Sequence, residues 1–345
     1  MKIKILVVSH DAGGANILNA LVKKYKTDFN WKIYAKGPAA KIFRERTNTV
    51  KYIKKNLNIN RIIEIEKPDL ILTGTSWASS IEIEFLKAAK KQGIRTAVFL
   101  DHWCNYRERF GYSGNWKKNL PDIVFVGDKW AYTLALKAGF PEKKLRQVEN
   151  PYLDDTIKDV KLLPYARVVK SKDNKIRILY LSEPIYEHAL KYHDNPDYWG
   201  YTEYGIIKDL VKVKEICNGF LIKLRIRLHP AEKRNKYKKR GISVSNNTRL
   251  IEDCLWADII VGGCTMALVV ASMVGKKVIS YIPSVKKTCP LPHKEIIKVH
   301  SFEKLIREIK LFKKNGKIKN NKNRTASDRA FLREIFNQKV CQLAE

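Results

Sequence analysis

Short apolar runs alternate with helix-like segments along most of the chain, and this alternation limits the possible folds more than any other feature. The first run, residues 3–9, is continuously apolar, as in a strand that is buried on both faces of a parallel sheet. A helix is predicted over residues 15–25, directly after it. Further strands are predicted at residues 31–35, 68–76, 96–100, 122–126, 176–182, 221–228, 242–244, 258–261 and 277–282. Steady alternation of this kind predicts doubly wound parallel sheets.

The chain is long enough for two domains. At 345 residues it exceeds the usual size of a single hydrophobic core. The alternation breaks down after Asn150-Pro151, which reads as a linker over residues 151–174. We therefore predict an α/β protein with two facing Rossmann-like domains, residues 1–150 for an acceptor and 175–312 for a nucleotide donor, and a ligand cleft between them. Residues 313–345 are predicted to form a basic connector and a C-terminal helix.

The charge is strongly basic, with 67 Lys and Arg against 35 Asp and Glu and a formal net charge of +32. Such a field favours polyanions, anionic membrane surfaces or anionic substrates. Abundant Lys, Asn and Ile are equally consistent with compositional drift, and the charge alone does not separate the two explanations. No apolar run has the roughly 18 to 20 residues of a membrane span. The expected location is the cytoplasm, with peripheral binding at the inner face of the cell membrane.

The cysteines do not form a metal-binding or disulfide pattern. There are six, widely scattered, without a Cys-x-x-Cys pair. No Asp-x-Asp motif occurs either. We therefore predict no metal and no cofactor.

Two strand ends in the second half carry a phosphate-site pattern. One strand ends at Arg227-Leu-His229-Pro, and about thirty residues later another runs into the turn Gly262-Gly263-Cys264-Thr265 at the head of a helix. Parallel strands present such ends at one edge of the sheet, and the free N–H groups of a helix N-terminus suit a phosphate. The predicted nucleotide-phosphate site consists of Arg227, His229, Gly263, Cys264 and Thr265, with Ser182 and Glu183 at the first strand end of domain two.

These motifs resemble the C-terminal half of GT-B glycosyltransferases, over roughly residues 176–283. More narrowly, they resemble transferases with CMP- or CDP-activated donors, namely polysialyltransferase-like, capsule Kdo-transferase-like and CDP-glycerol glycerophosphotransferase-like enzymes. The resemblance implies that His229 binds the donor phosphate and that Thr265 holds it from the other side. Gly262-Gly263-Cys264-Thr265 departs from the Ser-Ser or Ser-Thr pair that is common there, which affects the identity of the donor.

The first strand of domain one ends in a candidate catalytic turn. His10 and Asp11 follow this strand, and Gly13 and Gly14 allow a backbone or a ligand to approach closely. Asp11 is a candidate base, and His10, Gly13 and Gly14 are candidate acceptor contacts. The alternative is that Asp11 caps the helix and the glycines only shape the turn.

A second candidate segment in domain one follows the strand at residues 96–100. Asp101 and His102 are a candidate acid/base pair and rival Asp11, whereas Arg107 and Arg109 are candidate contacts to an anionic acceptor. A structural loop with solvated ion pairs is the alternative. Ser76 follows another strand and could line the acceptor pocket or cap a helix.

The leading functional prediction is a glycosyltransferase or polyol-phosphate transferase. It would move a sugar from a nucleotide donor, preferably of the CMP or CDP type, to an anionic glycan or lipid-linked acceptor in capsule or lipopolysaccharide synthesis. The alternative enzyme is similar to UDP-N-acetylglucosamine 2-epimerase. A nucleic-acid binder is the third hypothesis, which the lack of any RRM, KH, zinc-finger or helix-turn-helix pattern disfavours. We therefore predict no nucleic-acid partner.

Overall fold

The computed structural model describes residues 2–46, 50–54, 57–76, 79–111, 114–162, 175–217, 221–237 and 242–315. Residue contacts divide the chain into two compact units, and the boundary falls between Asp155 and Thr156. Among the described residues, unit one precedes this boundary and unit two follows it. Each unit has a parallel sheet of its own.

Unit one is a parallel sheet with helices on both faces. Its strands are β1 (Lys4–Ser9), β2 (Asn30–Ala35), β3 (Val50–Tyr52), β4 (Leu70–Thr73), β5 (Arg95–Leu100), β6 (Ile123–Val126) and β7 (Leu145–Gln147). Its helices are α1 (Ala12–Lys24), α2 (Gly37–Arg46), α3 (Ile59–Glu66), α4 (Ile81–Lys91) and α5 (Lys129–Lys137). Helix α6 (Pro151–Leu162) follows β7 and contains the boundary between the units.

The core of unit one explains why β1 reads as an unbroken apolar run. The strand order is β3-β2-β1-β4-β5-β6-β7, and β1 pairs in parallel with β2 and β4. Ile5 and Val7 pack on the side of Leu18 in α1, whereas Leu6 packs on the side of Phe85 in α4. Because both faces are covered, residues 5–8 are all apolar, and the polar residues Lys4 and Ser9 lie at the two ends of the strand.

Unit two repeats this architecture. Its strands are β8 (Lys175–Leu181), β9 (Leu221–Arg227), β10 (Ser243–Val244), β11 (Ile259–Gly262), β12 (Lys277–Tyr281) and β13 (Ile296–Val299). Its helices are α7 (Ile185–His193), α8 (Glu203–Ile216), α9 (Leu250–Trp256), α10 (Met266–Met273) and α11 (Phe302–Asn315). The strand order is β10-β9-β8-β11-β12-β13, with all neighbours parallel.

Counted from its own first strand, each sheet has the order 3-2-1-4-5-6 of a Rossmann-like sheet, and unit one adds a seventh strand. This confirms the predicted α/β fold class with two Rossmann-like sheets. In such a sheet, ligands bind at the carboxyl edge where the chain switches sides, between strands 1 and 4. The corresponding pairs are β1 with β4 in unit one and β8 with β11 in unit two.

The segment predicted as a linker begins with a helix, α6. The sequence predicts a break at Asn150-Pro151, but Pro is favoured at the first position of a helix, because the N–H that it lacks would have no intrahelical partner there. The Asn150 side chain accepts the backbone N–H of Tyr152 at 3.1 Å, and Leu153 is buried. The remainder of the predicted linker, residues 163–174, lies outside the described residues, as does the predicted C-terminal helix at 327–338. The predicted domain boundaries therefore remain predictions.

Several elements had no strong signal in the sequence. Helix α3 and the short strands β3, β7 and β13 were not predicted. Strands of three or four residues at the sheet margins are too short to show a pattern, and parallel neighbours fix them in place. No helix in the described part of the chain is long and apolar enough to cross a membrane.

Candidate functional site

The two switch points bring together most of the polar segments that the sequence analysis selected. The residues that follow the four strands are His10-Asp11 after β1, Gly74-Thr75-Ser76 after β4, Ser182-Glu183 after β8, and Gly263-Cys264-Thr265 after β11. Each unit therefore has one polar edge at the position where Rossmann-like sheets bind ligands.

The turn after β11 binds a carboxylate of the protein itself. Glu183 Oε1 accepts the backbone N–H groups of Gly263 at 3.1 Å and Cys264 at 3.0 Å. A Cβ atom at residue 263 would lie 2.6 Å from this oxygen, so glycine is required for the close approach. The two N–H groups predicted to bind a phosphate thus converge on one anionic oxygen, as in other backbone anion sites.

Strand β8 lies between the His-Pro turn and the turn after β11, and its end contacts both. Ser182 Oγ donates to Glu232 Oε1 at 2.9 Å and lies 2.7 Å from the Tyr237 hydroxyl. Glu232 Oε2 in turn accepts the backbone N–H of His229 at 2.7 Å. Ser182 is therefore tied to the His-Pro turn, while its neighbour Glu183 is tied to the other turn.

Arg227 orders the loop ahead of α9. Its Nη1 lies 2.5 Å from Oδ2 of the fully buried Asp253, and its guanidinium donates to the carbonyl oxygens of Asn247 and Thr248, each at 3.0 Å.

Thr265 caps α10, because its Oγ1 accepts the N–H of Ala267 at 3.3 Å. The predicted phosphate contacts of Arg227 and Thr265 remain predictions.

A buried ionic cluster at the same edge was missed in the sequence. Lys236 Nζ lies 2.8 Å from Glu187, 2.5 Å from Glu203 and 2.7 Å from Glu232. Burial raises the pKa of Glu203 to about 7, although Lys236 acts in the opposite direction. The four-residue spacing of Glu232 and Lys236 was the one visible signal, and it also occurs in many solvent-exposed pairs.

In unit one, His10 and Asp11 form a partly exposed pair. His10 Nδ1 lies 2.7 Å from Asp11 Oδ1, and the two side chains are 20% and 24% exposed. Asp11 occupies the N-cap position of α1, but its side chain makes no capping hydrogen bond. The capping alternative therefore does not account for this carboxylate.

Glu82 lies directly behind this pair and was not predicted. Its Oε1 accepts the backbone N–H of His10 and the hydroxyl of Ser76, both at 2.8 Å. Its Oε2 is buried and has no hydrogen-bond partner. Burial raises the pKa of Glu82 to about 7, and the charge of Asp11 acts in the same direction. In the sequence, Glu82 looks like an ordinary acidic residue in the first turn of a helix.

Asp101 is held in a buried ion pair. Its Oδ1 lies 2.5 Å from Arg109 Nη1 and accepts the Thr75 hydroxyl at 3.1 Å. A Cβ atom at Gly13 would lie only 1.8 Å from Asp101 Oδ2, so the carboxylate packs directly on the glycine backbone. Arg109 and Gly13 thus hold Asp101 in place. The ion pair is buried and does not form part of a solvated surface loop.

The remaining predicted residues of unit one occupy the surrounding loop and turn. His102 Nδ1 lies 3.2 Å from Cys104 Sγ. Arg107 Nε donates to the Ala138 carbonyl at 2.8 Å, away from the Asp101 cluster. A Cβ atom at Gly14 would lie 2.9 Å from the Gly74 Cα, so this glycine lets α1 approach the end of β4.

The fold and the two polar edges define a class, that of two-domain α/β proteins with GT-B-like, Rossmann-like units. No protein-family model matches the chain, and no curated protein sequence matches it. Solved structures do match, and they include several UDP-GlcNAc 2-epimerases.

The matches extend over nearly the whole chain. A UDP-GlcNAc 2-epimerase from Methanocaldococcus jannaschii, solved with UDP-GlcNAc and UDP, superposes with a TM-score of 0.69 at 16% identity, covering 98% of this chain and 100% of the epimerase chain. MnaA of S. aureus, solved with UDP, gives a TM-score of 0.67 at 14% identity and coverages of 99% and 97%. The Neisseria meningitidis UDP-GlcNAc 2-epimerase bound to UDP-GlcNAc gives 0.61 at 12% identity and coverages of 92% and 95%.

These matches correct the leading prediction. The prediction of a glycosyltransferase is wrong, because the matching enzymes are 2-epimerases, which are isomerases. The narrower resemblance to CMP- and CDP-dependent transferases is not supported either, whereas the GT-B-like fold is. The comparisons favour the alternative, an epimerase-like enzyme of nucleotide sugars.

Proposed function

We propose that this protein is a nucleotide-sugar epimerase that inverts C2 of a UDP-linked sugar such as UDP-N-acetylglucosamine. The observation that carries the proposal is the agreement with 2-epimerase structures over at least 92% of this chain, which includes both units. The polar groups at the switch point of each unit support it, because Rossmann-like sheets bind ligands at that position.

The reaction requires proton transfer at carbon. Inverting C2 breaks its C–H bond, and because C2 has no neighbouring carbonyl, UDP must leave C1 with its electron pair while the C–H electrons form a C1–C2 double bond. UDP then returns to C1 while a proton adds to the opposite face of C2, so groups that take and give a proton must reach the sugar. We assign proton transfer to Asp11 and His10, which are paired and partly exposed at the switch point of unit one. Glu82 holds the His10 backbone and is a positioning residue. Asp101 and Arg109 are buried and shape the neighbouring loop.

Unit two is the proposed binding unit for the diphosphate. The N–H groups of Gly263 and Cys264 form an anion site, which the carboxylate of Glu183 occupies in this structure. A diphosphate cannot share this site with a carboxylate because of like-charge repulsion, so binding requires Glu183 to turn away. The proposed nucleotide is UDP, in place of the CMP or CDP predicted from the sequence.

The proposal changes the expected partners. Epimerisation involves one nucleotide sugar and no acceptor, so Gly13, Gly14, Ser76 and Arg109 are proposed to shape the sugar side of the site. Arg107 has no role in this scheme. We further propose that the reaction proceeds with the chain's own side chains and without a metal or an added cofactor, and that the protein acts in the cytoplasm.

The direct test is proton exchange at C2. The enzyme is incubated with UDP-N-acetylglucosamine in D2O and followed by proton NMR. We expect loss of the C2 proton signal through deuterium incorporation, together with the appearance of the C2 epimer. Because general acid–base groups contribute about 100-fold or more, Asp11→Asn should lower the rate at least about 100-fold.

A matched control is Asp155→Asn, which removes a carboxylate from a surface pair with Lys23 and should leave the rate unchanged. Calorimetric titration with UDP, with CMP for comparison, measures binding separately from turnover. The proposal fails if the protein binds no uridine nucleotide, or if it binds one and neither exchanges nor epimerises the sugar.

A further inference from the structure

A thiol and an imidazole lie in contact in the loop that follows β5. The Sγ atom of Cys104 is 3.2 Å from Nδ1 of His102, within hydrogen-bonding distance for sulfur. Both residues are partly exposed. Epimerisation as proposed above gives this pair no role.

The surroundings of the pair favour charge separation. Arg109 Nε donates to the carbonyl oxygen of Cys104 at 3.2 Å, which brings a buried guanidinium next to the thiol. Asp101 is the nearby negative group, and the same guanidinium neutralises it at 2.5 Å. The phenol of Tyr106 is a further ionisable group that interacts with Cys104, and it donates to the Ala131 carbonyl.

The electrostatics of the imidazole agree with this arrangement. Burial and, to a smaller extent, the charge of Arg109 act to lower the pKa of His102. The interaction with Cys104, together with Asp101, outweighs them, and the pKa is raised above its ordinary value. A protonated imidazole next to a cysteine stabilises the thiolate, which is the nucleophilic form of the side chain.

The other cysteines in the described part of the chain differ from Cys104. Cys217, Cys254, Cys264 and Cys289 are all buried. Burial raises the pKa of Cys254 to about 12 and also raises that of Cys289, so these thiols stay protonated. Buried, protonated thiols react slowly with electrophiles.

We propose that Cys104 and His102 form a thiolate–imidazolium pair and that Cys104 is a covalent modification site for soft electrophiles. In the reaction, the Cys104 sulfur attacks the electrophilic carbon, a C–S bond forms, and the leaving group departs with its electron pair. His102 keeps the proton that it took from the thiol. With iodoacetamide as the probe, the products are a thioether and iodide. This inference depends only on unit one and is independent of the proposed epimerase activity.

The experiment measures alkylation of the full-length native protein at each cysteine. Cys341 lies outside the described residues, so Cys341→Ser serves as the background. The protein is treated with iodoacetamide at pH 6 to 8, and peptide mass spectrometry gives the rate at each site. An ordinary thiol with a pKa of about 8.5 slows nearly 100-fold over this range. We expect Cys104 to slow less than about tenfold and to react ahead of every buried cysteine.

The partner variant is His102→Asn, which retains a hydrogen-bond donor but cannot carry the charge. At pH 6 it should lower the rate at Cys104 about tenfold or more, and at pH 9.5 the difference should disappear. His193→Asn in unit two is the matched control and should leave the rate unchanged. Slow labelling of Cys254 and Cys264 in each variant reports that the fold is intact.

Two results would overturn the proposal. One is a wild-type Cys104 whose rate falls with pH like that of an ordinary thiol. The other is a folded His102→Asn variant with the same rate and pH dependence as wild type. If the His102→Asn variant does not fold, the pH dependence of the wild-type alkylation rate at Cys104 alone tests the proposal.

Discussion

At the scale of single residues, the polar edge of each unit contains ionisable groups that are buried beside their hydrogen-bonding partners. Glu82, Asp101 and Glu203 are all carboxyl groups with little or no solvent exposure. Asp101 has a guanidinium partner and Glu203 an ammonium partner, whereas Glu82 has only neutral hydrogen-bond donors. Burial raises the pKa of Glu82 with no cation to oppose it, and the charge of Asp11 acts in the same direction, whereas Lys236 opposes the effect of burial on Glu203.

Glu82 should make the stability of the protein fall as the pH rises. Its pKa is about 7 in the folded chain against an ordinary value of 4.5. Below pH 4.5 both states hold the proton, and between about pH 4.5 and 7 only the folded state does. Raising the pH through this window should cost about 3 kcal/mol of unfolding free energy. Glu82→Gln, which mimics the protonated acid, should remove this loss.

Urea unfolding at pH 5 and pH 8 measures the effect, in wild type, Glu82→Gln and Glu64→Gln. Glu64 is an exposed residue of α3 and serves as the matched control. Equal pH dependence in wild type and Glu82→Gln would contradict the assignment of a protonated Glu82.

At the scale of elements, the polar edges depend on how helices begin after strands. Helix α1 begins directly after β1 and packs its first turn against Asp101 and against the end of β4, contacts that only Gly13 and Gly14 permit. The sequence indicated the glycines and the turn, but not which neighbours would lie against them. The partners come from β4 and β5, about 60 and 90 residues away in the chain.

Gly13→Ala tests this packing, with Gly205→Ala as its control. Both glycines lie in the first turn of a helix, but a Cβ atom at residue 205 would contact only Thr202 Oγ1, at 3.8 Å. Gly205→Ala should therefore stabilise the protein by about 0.5 kcal/mol or more. At residue 13 the new atom displaces Asp101, so Gly13→Ala should destabilise by about 1–3 kcal/mol.

Thermal or urea unfolding of the two variants gives the comparison. If Gly13→Ala is as stable as wild type, Asp101 does not pack on the α1 backbone as described.

Helix α6 shows how one dipeptide can be misinterpreted at this scale. Asn-Pro is common in turns and equally suited to a helix start, with Asn as the cap and Pro in the first position. Burial of Leu153 favours the helix, and burial depends on tertiary packing that the dipeptide does not show. The predicted start of α10 at Thr265 is confirmed. A capping residue, an apolar helix after it and glycines before it all indicate a helix start at the same position.

At the scale of the whole molecule, the net charge of +32 is the dominant property that the fold does not explain. We expect the protein to bind vesicles that contain an anionic lipid at low ionic strength. Raising the salt from 0.1 M to 1 M shortens the Debye length from about 10 Å to about 3 Å and should release it. Co-sedimentation with anionic and with neutral vesicles measures this. Binding that persists at 1 M salt would indicate apolar insertion instead of charge.

The sequence by itself determined the α/β class, the parallel strands and the segments that end in polar residues, because these follow from local periodicity and turn chemistry. Tertiary structure decided which of those residues meet. Strand β8 lies between the His-Pro turn and the turn after β11, which are the two motifs of the phosphate-site pattern. Glu183 accepts hydrogen bonds from the backbone N–H groups of the turn after β11. Glu82 in unit one and Lys236 in unit two each contact the polar edge of their own unit only because distant segments of that unit pack together. Hydrophobic periodicity depends on residues that are close in the chain, so the sequence alone shows it. Contacts across a sheet edge depend on strand order, which the local sequence does not determine.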